Sequence, residues 1–354
     1  MIFDIRIYML VGIFMTLCIS LMFFNFVIIR YSRKRNTLSS DMVEKWKNIL
    51  FEQTIRATDK KINESKHDRL LSKKLSATIE LDAYAHALQY LRKEYEEHYF
   101  DYMKKRNVVF QKLANTYSRK SNLKRTFFAD FISNFPQAAS GIYQKLVVGS
   151  LTSYIHKSTV HCRTTVMHAL CSIGNIQGVI TALQVINNES LFVHDQLLAN
   201  MLSRFRGDKE ILMNELWNDD RRWNDNILVA IIQFITRFSD EYGSAFLAIL
   251  KNPSSNFEVR IAIIRYYEKH MYGPARPILD ELVANSADIH LAAEAVLALE
   301  RNGLFVPVKQ SGKTVLLQQG NDDRTKEMLA YILGLKGASQ DMGRREMDGE
   351  KTSA

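Results

Sequence analysis

Between residues 160 and 300 one pattern of apolar residues returns at nearly constant spacing. With His161, Asp195, Asn226, Phe257 and Asp288 as starting marks, the steps are 34, 31, 31 and 31 residues. Each mark leads into a long apolar stretch: VMHALCSIGN, LLANMLSRFRG, ILVAIIQFITRF, IAIIRYYEKHMYG and LAAEAVLALERNG. A second run follows each of the first four: GVITALQVI, EILMNELW, SAFLAIL and PILDELV. A unit of two amphipathic helices cannot bury both apolar faces alone, so such units are stable only when stacked on their neighbours. The spacing therefore predicts an all-α chain built as an α-solenoid. With 5 prolines and 15 glycines in 354 residues, the chain is too poor in turn residues for a sheet protein of this length.

The units resemble HEAT repeats. The closest correspondence is Val259-Arg260, Gly273, Pro277-Ile278-Leu279 and Leu282, and a second is Arg163, Gly174-Asn175, Val179-Ile180 and Leu183. The unit from His194 is shorter, and the one from Asp288 lacks an ordinary second helix. The resemblance spans residues 120–335 and implies architecture, not chemistry. The expected layout is a short extracytoplasmic N-terminus (1–6), a transmembrane helix (7–29), a basic helical section (30–122), a HEAT-like solenoid (123–336) and a disordered tail (337–354).

Residues 7–29 read IYMLVGIFMTLCISLMFFNFVII, long enough at about 1.5 Å per residue to cross a hydrocarbon core of about 30 Å. A cleaved signal peptide would need a shorter apolar centre and a small-x-small site. The membrane-surface basic cluster Arg30, Arg33, Lys34 and Arg35 follows at once. That flank predicts a single-pass protein of the cell membrane with its C-terminal part cytoplasmic. Cys18, Cys162 and Cys171 form no disulfide framework.

The basic section carries three helical patterns, 41–58, 68–91 and 94–117, and Asp41 with Glu44 forms a capping-box-like start. From Arg30 to Arg125 there are 23 Lys and Arg against 12 Asp and Glu, a net of +11; from Leu151 to Glu300 the counts are 13 and 17, a net of −4. Basic side chains beside an anchor predict attraction to anionic lipid headgroups, or a solvated face obeying the positive-inside bias. The mildly acidic repeat surface argues against nucleic acid as a partner.

No catalytic motif is present, and no cofactor is expected. Ser311-Gly312-Lys313-Thr314 resembles the tail of a phosphate-binding loop, but Pro307 stands where the earlier glycine is required. The alternation around it predicts a small β-hairpin near the C-terminal cap. His161, Cys162, His168 and Cys171 invite a metal reading, yet apolar neighbours explain the cysteines as core-filling.

Residues 217–223, WNDDRRW, bring Trp217, Arg221, Arg222 and Trp223 into one loop. These residue types are enriched at interface hot spots; alternatively, the tryptophans cap the apolar layer between repeats. Arg163 and Arg260, at matching positions, are expected to brace repeats. Residues 325–335 fit a closing amphipathic cap helix, and 337–354 lack the apolar content to fold.

The layout is similar to bacterial membrane-anchored HEAT-repeat proteins. That resemblance implies a cytoplasmic scaffold, not an enzyme, holding a protein partner at the membrane: a membrane or membrane-associated enzyme such as a glycosyltransferase in exopolysaccharide assembly. The alternatives are a solenoid sensor for a small anionic ligand and a HEAT-like lyase-type enzyme.

Overall fold

The computed structural model describes residues 40–55, 64–217, 223–285 and 288–303, together with Met15, Leu17 and residues 20–22. Among the described residues every regular element is a helix, and none is a strand. The chain divides into two compact units, Met1–Ile173 and Gly174–Ala354. The helices pack in a solenoid-like way within each.

The first unit contains α1 (40–54), α2 (Glu64–Lys74), α3 (Thr78–Glu94), α4 (Glu96–Lys105), α5 (Asn107–Ser118), α6 (Asn122–Asn134), α7 (Gln144–Ser153) and α8 (Val160–Ile173). α3, α6 and α8 form one row, and α2, α5 and α7 form a second row against it. Aromatic rings are prominent in its core, and each removes a large apolar area from water. Tyr117 stacks on Phe128 at 4.9 Å, and Phe131 meets Phe110 at 5.5 Å and Phe135 at 5.1 Å. The polar tips are satisfied: the Tyr117 hydroxyl donates to the Leu75 carbonyl at 2.8 Å, and buried Tyr154 donates to the Ala114 carbonyl. Trp46 of α1 is buried, crosses Tyr84 edge-on at 5.2 Å and donates Nε1–H to Glu80 at 2.8 Å.

Two of the helical patterns expected in this section are each broken in two. The pattern over 68–91 is interrupted between α2 and α3, where the Ser76 hydroxyl bonds the Lys73 carbonyl at 2.8 Å and competes with the helix ladder. The pattern over 94–117 breaks at Arg106 (φ −103°, ψ 7°), whose amide closes a tight turn on Met103. Neither break carries proline or glycine.

The second unit contains α9 (Ile176–Asn188), α10 (Asp195–Ser203), α11 (Lys209–Leu216), α12 (Asp225–Phe238), α13 (Gly243–Lys251), α14 (Phe257–Lys269), α15 (Arg276–Asn285) and α16 (Ile289–Arg301). α10, α12, α14 and α16 lie side by side as one row, while α11, α13 and α15 each pack against the next member of that row. The N-cap residues are His194, Asn224, Asn256 and Asp288, and each accepts a backbone N–H in the first turn. They follow one another at 30, 32 and 32 residues, so the periodicity is a repeat of capped helices. Gly174, at φ +73°, ends α8 in the left-handed region, where its backbone touches Gly207. Gly273 instead opens a short 3-10 turn with φ outside that region.

The expected single-pass placement in a cell membrane is corrected: none of the described helices is long and apolar enough to cross a membrane. Of residues 7–29 only Met15, Leu17 and 20–22 are described, as helical positions. The rest of that run, the basic cluster Arg30, Arg33, Lys34 and Arg35, the β-hairpin around 306–317, the cap helix 325–335 and the tail 337–354 lie outside the described residues.

Candidate functional site

Along the row α10, α12, α14 and α16, polar side chains reach across by one repeat. At the N-terminal end, Asn187 accepts the Asn224 amide at 2.7 Å, and Asn256 donates to the Asp225 carboxylate at 2.8 Å. In the middle, Gln233 donates to Asp195 at 2.8 Å, and Arg265 pairs with Glu294 at 2.6 Å. At the C-terminal end, Arg237 donates to Asn200 and Ser203, both at 2.8 Å, and Lys269 donates to the Thr236 and Arg237 carbonyls at 3.0 and 3.4 Å. His270 meets the Thr236 carbonyl at 2.7 Å, Arg301 pairs with Glu268 at 2.7 Å, and Asn302 donates to the Tyr267 carbonyl at 2.8 Å. Helix C-termini leave carbonyls without intrahelical donors, and here the following repeat supplies several of those donors.

The same face carries an open groove of about 710 Å³ across α10, α12 and α14. Val229, Ile261 and Ala262 form an apolar floor; Asn200, Asn226, Gln233, Arg237, Arg265 and Lys269 stand along it. Asp195 and Glu258 line its N-terminal end. The Glu294 hydrogen bond is the largest influence raising the Arg265 guanidinium pKa, which keeps that side chain charged and oriented.

Asp195 and Asn226 mark the repeat in the sequence, but none of the groove residues stood out there as a binding group. A signal exists, though: Arg237, Lys269 and Arg301 each fall 13 residues after the N-cap of their helix, at Asn224, Asn256 and Asp288. Aligning the units on polar rather than apolar positions would have found the row.

The 217–223 loop is divided by the structure. Trp217 packs edge-on against Phe246 at 4.9 Å and Tyr242 at 6.0 Å, and Tyr242 donates to Asn214 at 2.7 Å. Trp223 donates Nε1–H to the Leu216 carbonyl at 2.8 Å, closing the end of α11. Both tryptophans are half-buried in packing between successive repeats, while Arg221 and Arg222 lie outside the described residues. Arg163 is buried and donates to the Ser158 carbonyl at 2.8 Å, which ties down its own approach loop. Cys162 and Cys171 are fully buried; burial pushes both thiols up, Cys171 to about 12. Among the described residues no group of three or more His, Cys, Asp or Glu side chains is placed to hold a metal.

The first unit holds one buried polar chain. Tyr84 donates to Tyr102 at 3.2 Å, and Tyr102 lies 2.9 Å from Nε2 of His67. Arg106 sits 3.3 Å from the Asp68 carboxylate and 5.5 Å from the centre of the Tyr102 ring. Burial, then the nearby Arg106 charge, push His67 down to about 4. The ring is therefore neutral at pH 7. A neutral imidazole can accept at Nε2 from the Tyr102 hydroxyl.

No family model matches the sequence, and no curated protein matches it either. The fold and the groove define a class: an all-helical protein of stacked helical pairs, open along one row of helices.

Proposed function

We propose that the protein is a binding scaffold of HEAT type that holds a segment of a protein partner in the groove across α10, α12 and α14. The observation that carries this reading is the groove itself, an apolar floor bordered by polar side chains contributed by three successive repeats. Asn200, Asn226 and Gln233 each carry an amide group able to donate and accept at once, which suits the alternating N–H and C=O of a peptide backbone. Function rests on display and capture, and no reaction is assigned to the site. The 217–223 loop is a secondary contact region in this reading, because its tryptophan rings are already engaged between repeats.

The test is site-specific photocrosslinking of the full chain in its native cells. A photoreactive residue is placed at the groove positions Asn200 and Thr236, and at Asp280 of α15 as a control. One discrete protein adduct from both groove positions, absent from Asp280, is the expected result. Equal adducts at all three positions, or none in the groove, overturn the reading.

A further inference from the structure

We infer that the groove selects an acidic, extended polypeptide segment that runs across the helices along their C-terminal ends. This rests on the scaffold reading above and specifies its partner. Each cation in the row leans back by one repeat. The Arg237 guanidinium lies at the end of α10, against Asn200 and Ser203. The Lys269 ammonium lies at the end of α12, against two carbonyls. The Arg301 guanidinium lies at the end of α14, against Glu268. The end of each of the three helices beneath the groove therefore receives a cationic side chain from the next repeat, the one at α14 paired with Glu268.

Arg237 and Lys269 line the groove and have only neutral partners among the described residues. Helix dipoles favour a cation at such ends, but each contributes only about half a negative charge, so net positive charge remains. Donors remain too. Arg237 uses Nη1 alone, leaving Nε–H and both Nη2 hydrogens, and Lys269 uses two of its three N–H groups. Both side chains are exposed. An ionised carboxylate offers only acceptors and fits those donors.

Spacing narrows the class further. Packed helix axes stand about 8–10 Å apart. A polyproline-II-like segment returns to the same face every three residues, about 9.3 Å. Acidic residues at every third position would therefore meet successive cations. The groove's carboxylates, Asp195 and Glu258, lie at its other end; the eleven residues from Asn226 to Arg237 separate the ends by about 16 Å. That exceeds the screening length of about 8 Å at physiological salt, so an occupant on the basic edge is not repelled by them. A nucleic-acid duplex broad enough to cover both ends would be.

The experiment titrates the full chain with labelled synthetic peptides and follows fluorescence anisotropy. The first peptide is Pro- and Ala-rich, with Glu at every third position. The second has the same composition with its Glu residues clustered, the third has Gln for Glu, and a single-stranded oligonucleotide of equal charge completes the set. The spaced acidic peptide is expected to bind at least tenfold tighter than the other three. Its binding should weaken as salt rises and fall at least tenfold in Arg237→Gln/Lys269→Gln. The salt series uses the unaltered protein and so does not depend on that variant folding. Equal binding of the Gln peptide, no salt dependence, or tighter binding of the oligonucleotide overturns the acidic-segment inference. If the Asn200 and Thr236 crosslinks persist in that event, the scaffold reading survives alone; if they are absent as well, both fall.

Discussion

His67 gives the sharpest quantitative expectation. In the folded chain it titrates near 4, against an ordinary value of 6.5. The unfolded chain therefore binds the proton more tightly. The stability that neutral His67 contributes is fully present above pH 6.5, is lost as pH falls from 6.5 toward 4, and is gone below 4. The difference between the two values corresponds to about 3 kcal/mol at the acid limit, and to about 2 kcal/mol already lost at pH 5. Because the His67 residue is only 5% exposed, little solvent screening reduces that figure.

Denaturant unfolding at pH 7 and pH 5, compared with His67→Gln, isolates the effect. Gln can still accept from Tyr102 but does not titrate. Trp46, buried against Tyr84 in the same unit, reports the transition once Trp217 and Trp223 are changed to Phe. The His67 protein should lose about 2 kcal/mol more than the Gln variant between the two pH values. Equal losses, or a His67 ring proton resonance that titrates with a midpoint near 6.5, would refute the buried neutral imidazole.

Three further outcomes follow from backbone, thiol and hydroxyl geometry. Gly174→Ala should lower stability by about 1–2 kcal/mol in denaturant unfolding, because φ is +73° and the new Cβ would stand 3.0 Å from the Gly207 amide. Gly141→Ala, at φ +65° with only Asn107 at 3.6 Å, should lose less. In a Cys18→Ser background, a thiol reagent at pH 7 should leave Cys162 and Cys171 unlabelled in the folded chain and label both in denaturant, since burial raises both thiols and takes Cys171 to about 12. Tyr267→Phe should cost about 1–3 kcal/mol by removing the hydroxyl that donates to the Gly243 carbonyl at 2.7 Å; an unchanged midpoint would show the carbonyl is re-satisfied.

The repeat was legible because apolar residues set the helix faces, and each cap starts within two residues of the marks His161, Asp195, Asn226, Phe257 and Asp288 wherever a cap is formed. The second helices were legible for the same reason. The breaks at Ser76 and Arg106 were not, because the three- and four-residue apolar spacing runs through both and neither residue is a helix breaker by type. At Trp217 and Trp223 residue type suggested either an interface or a cap between repeats; the packing of Trp217 on Phe246 and Tyr242 is a contact no local window contains. The groove was hidden differently. Its polar residues sit on exposed faces, where composition varies freely, and only the return of Arg237 and Lys269 at 13 residues past the caps Asn224 and Asn256 marks it.

That return also explains why the groove can be polar without being loose. A solenoid is held by neighbour-to-neighbour interfaces, so a side chain that reaches back by one repeat strengthens the interface it crosses. Arg237, Lys269 and Arg301 do so at one end of the row, and Asn256 at the other. Each such bond is exposed and worth at most about 1 kcal/mol, so the apolar floor, not the stitches, holds the helices together. What the stitches contribute is position: they fix long, flexible cationic side chains at one spacing before any partner arrives. Ordering a rotamer-rich side chain on binding costs about 0.5–1.5 kcal/mol. At Arg237 and Lys269 much of that cost is already met in the folded chain, which is why a row of exposed cations here is better suited to capture than the same charges on an unconstrained helix face.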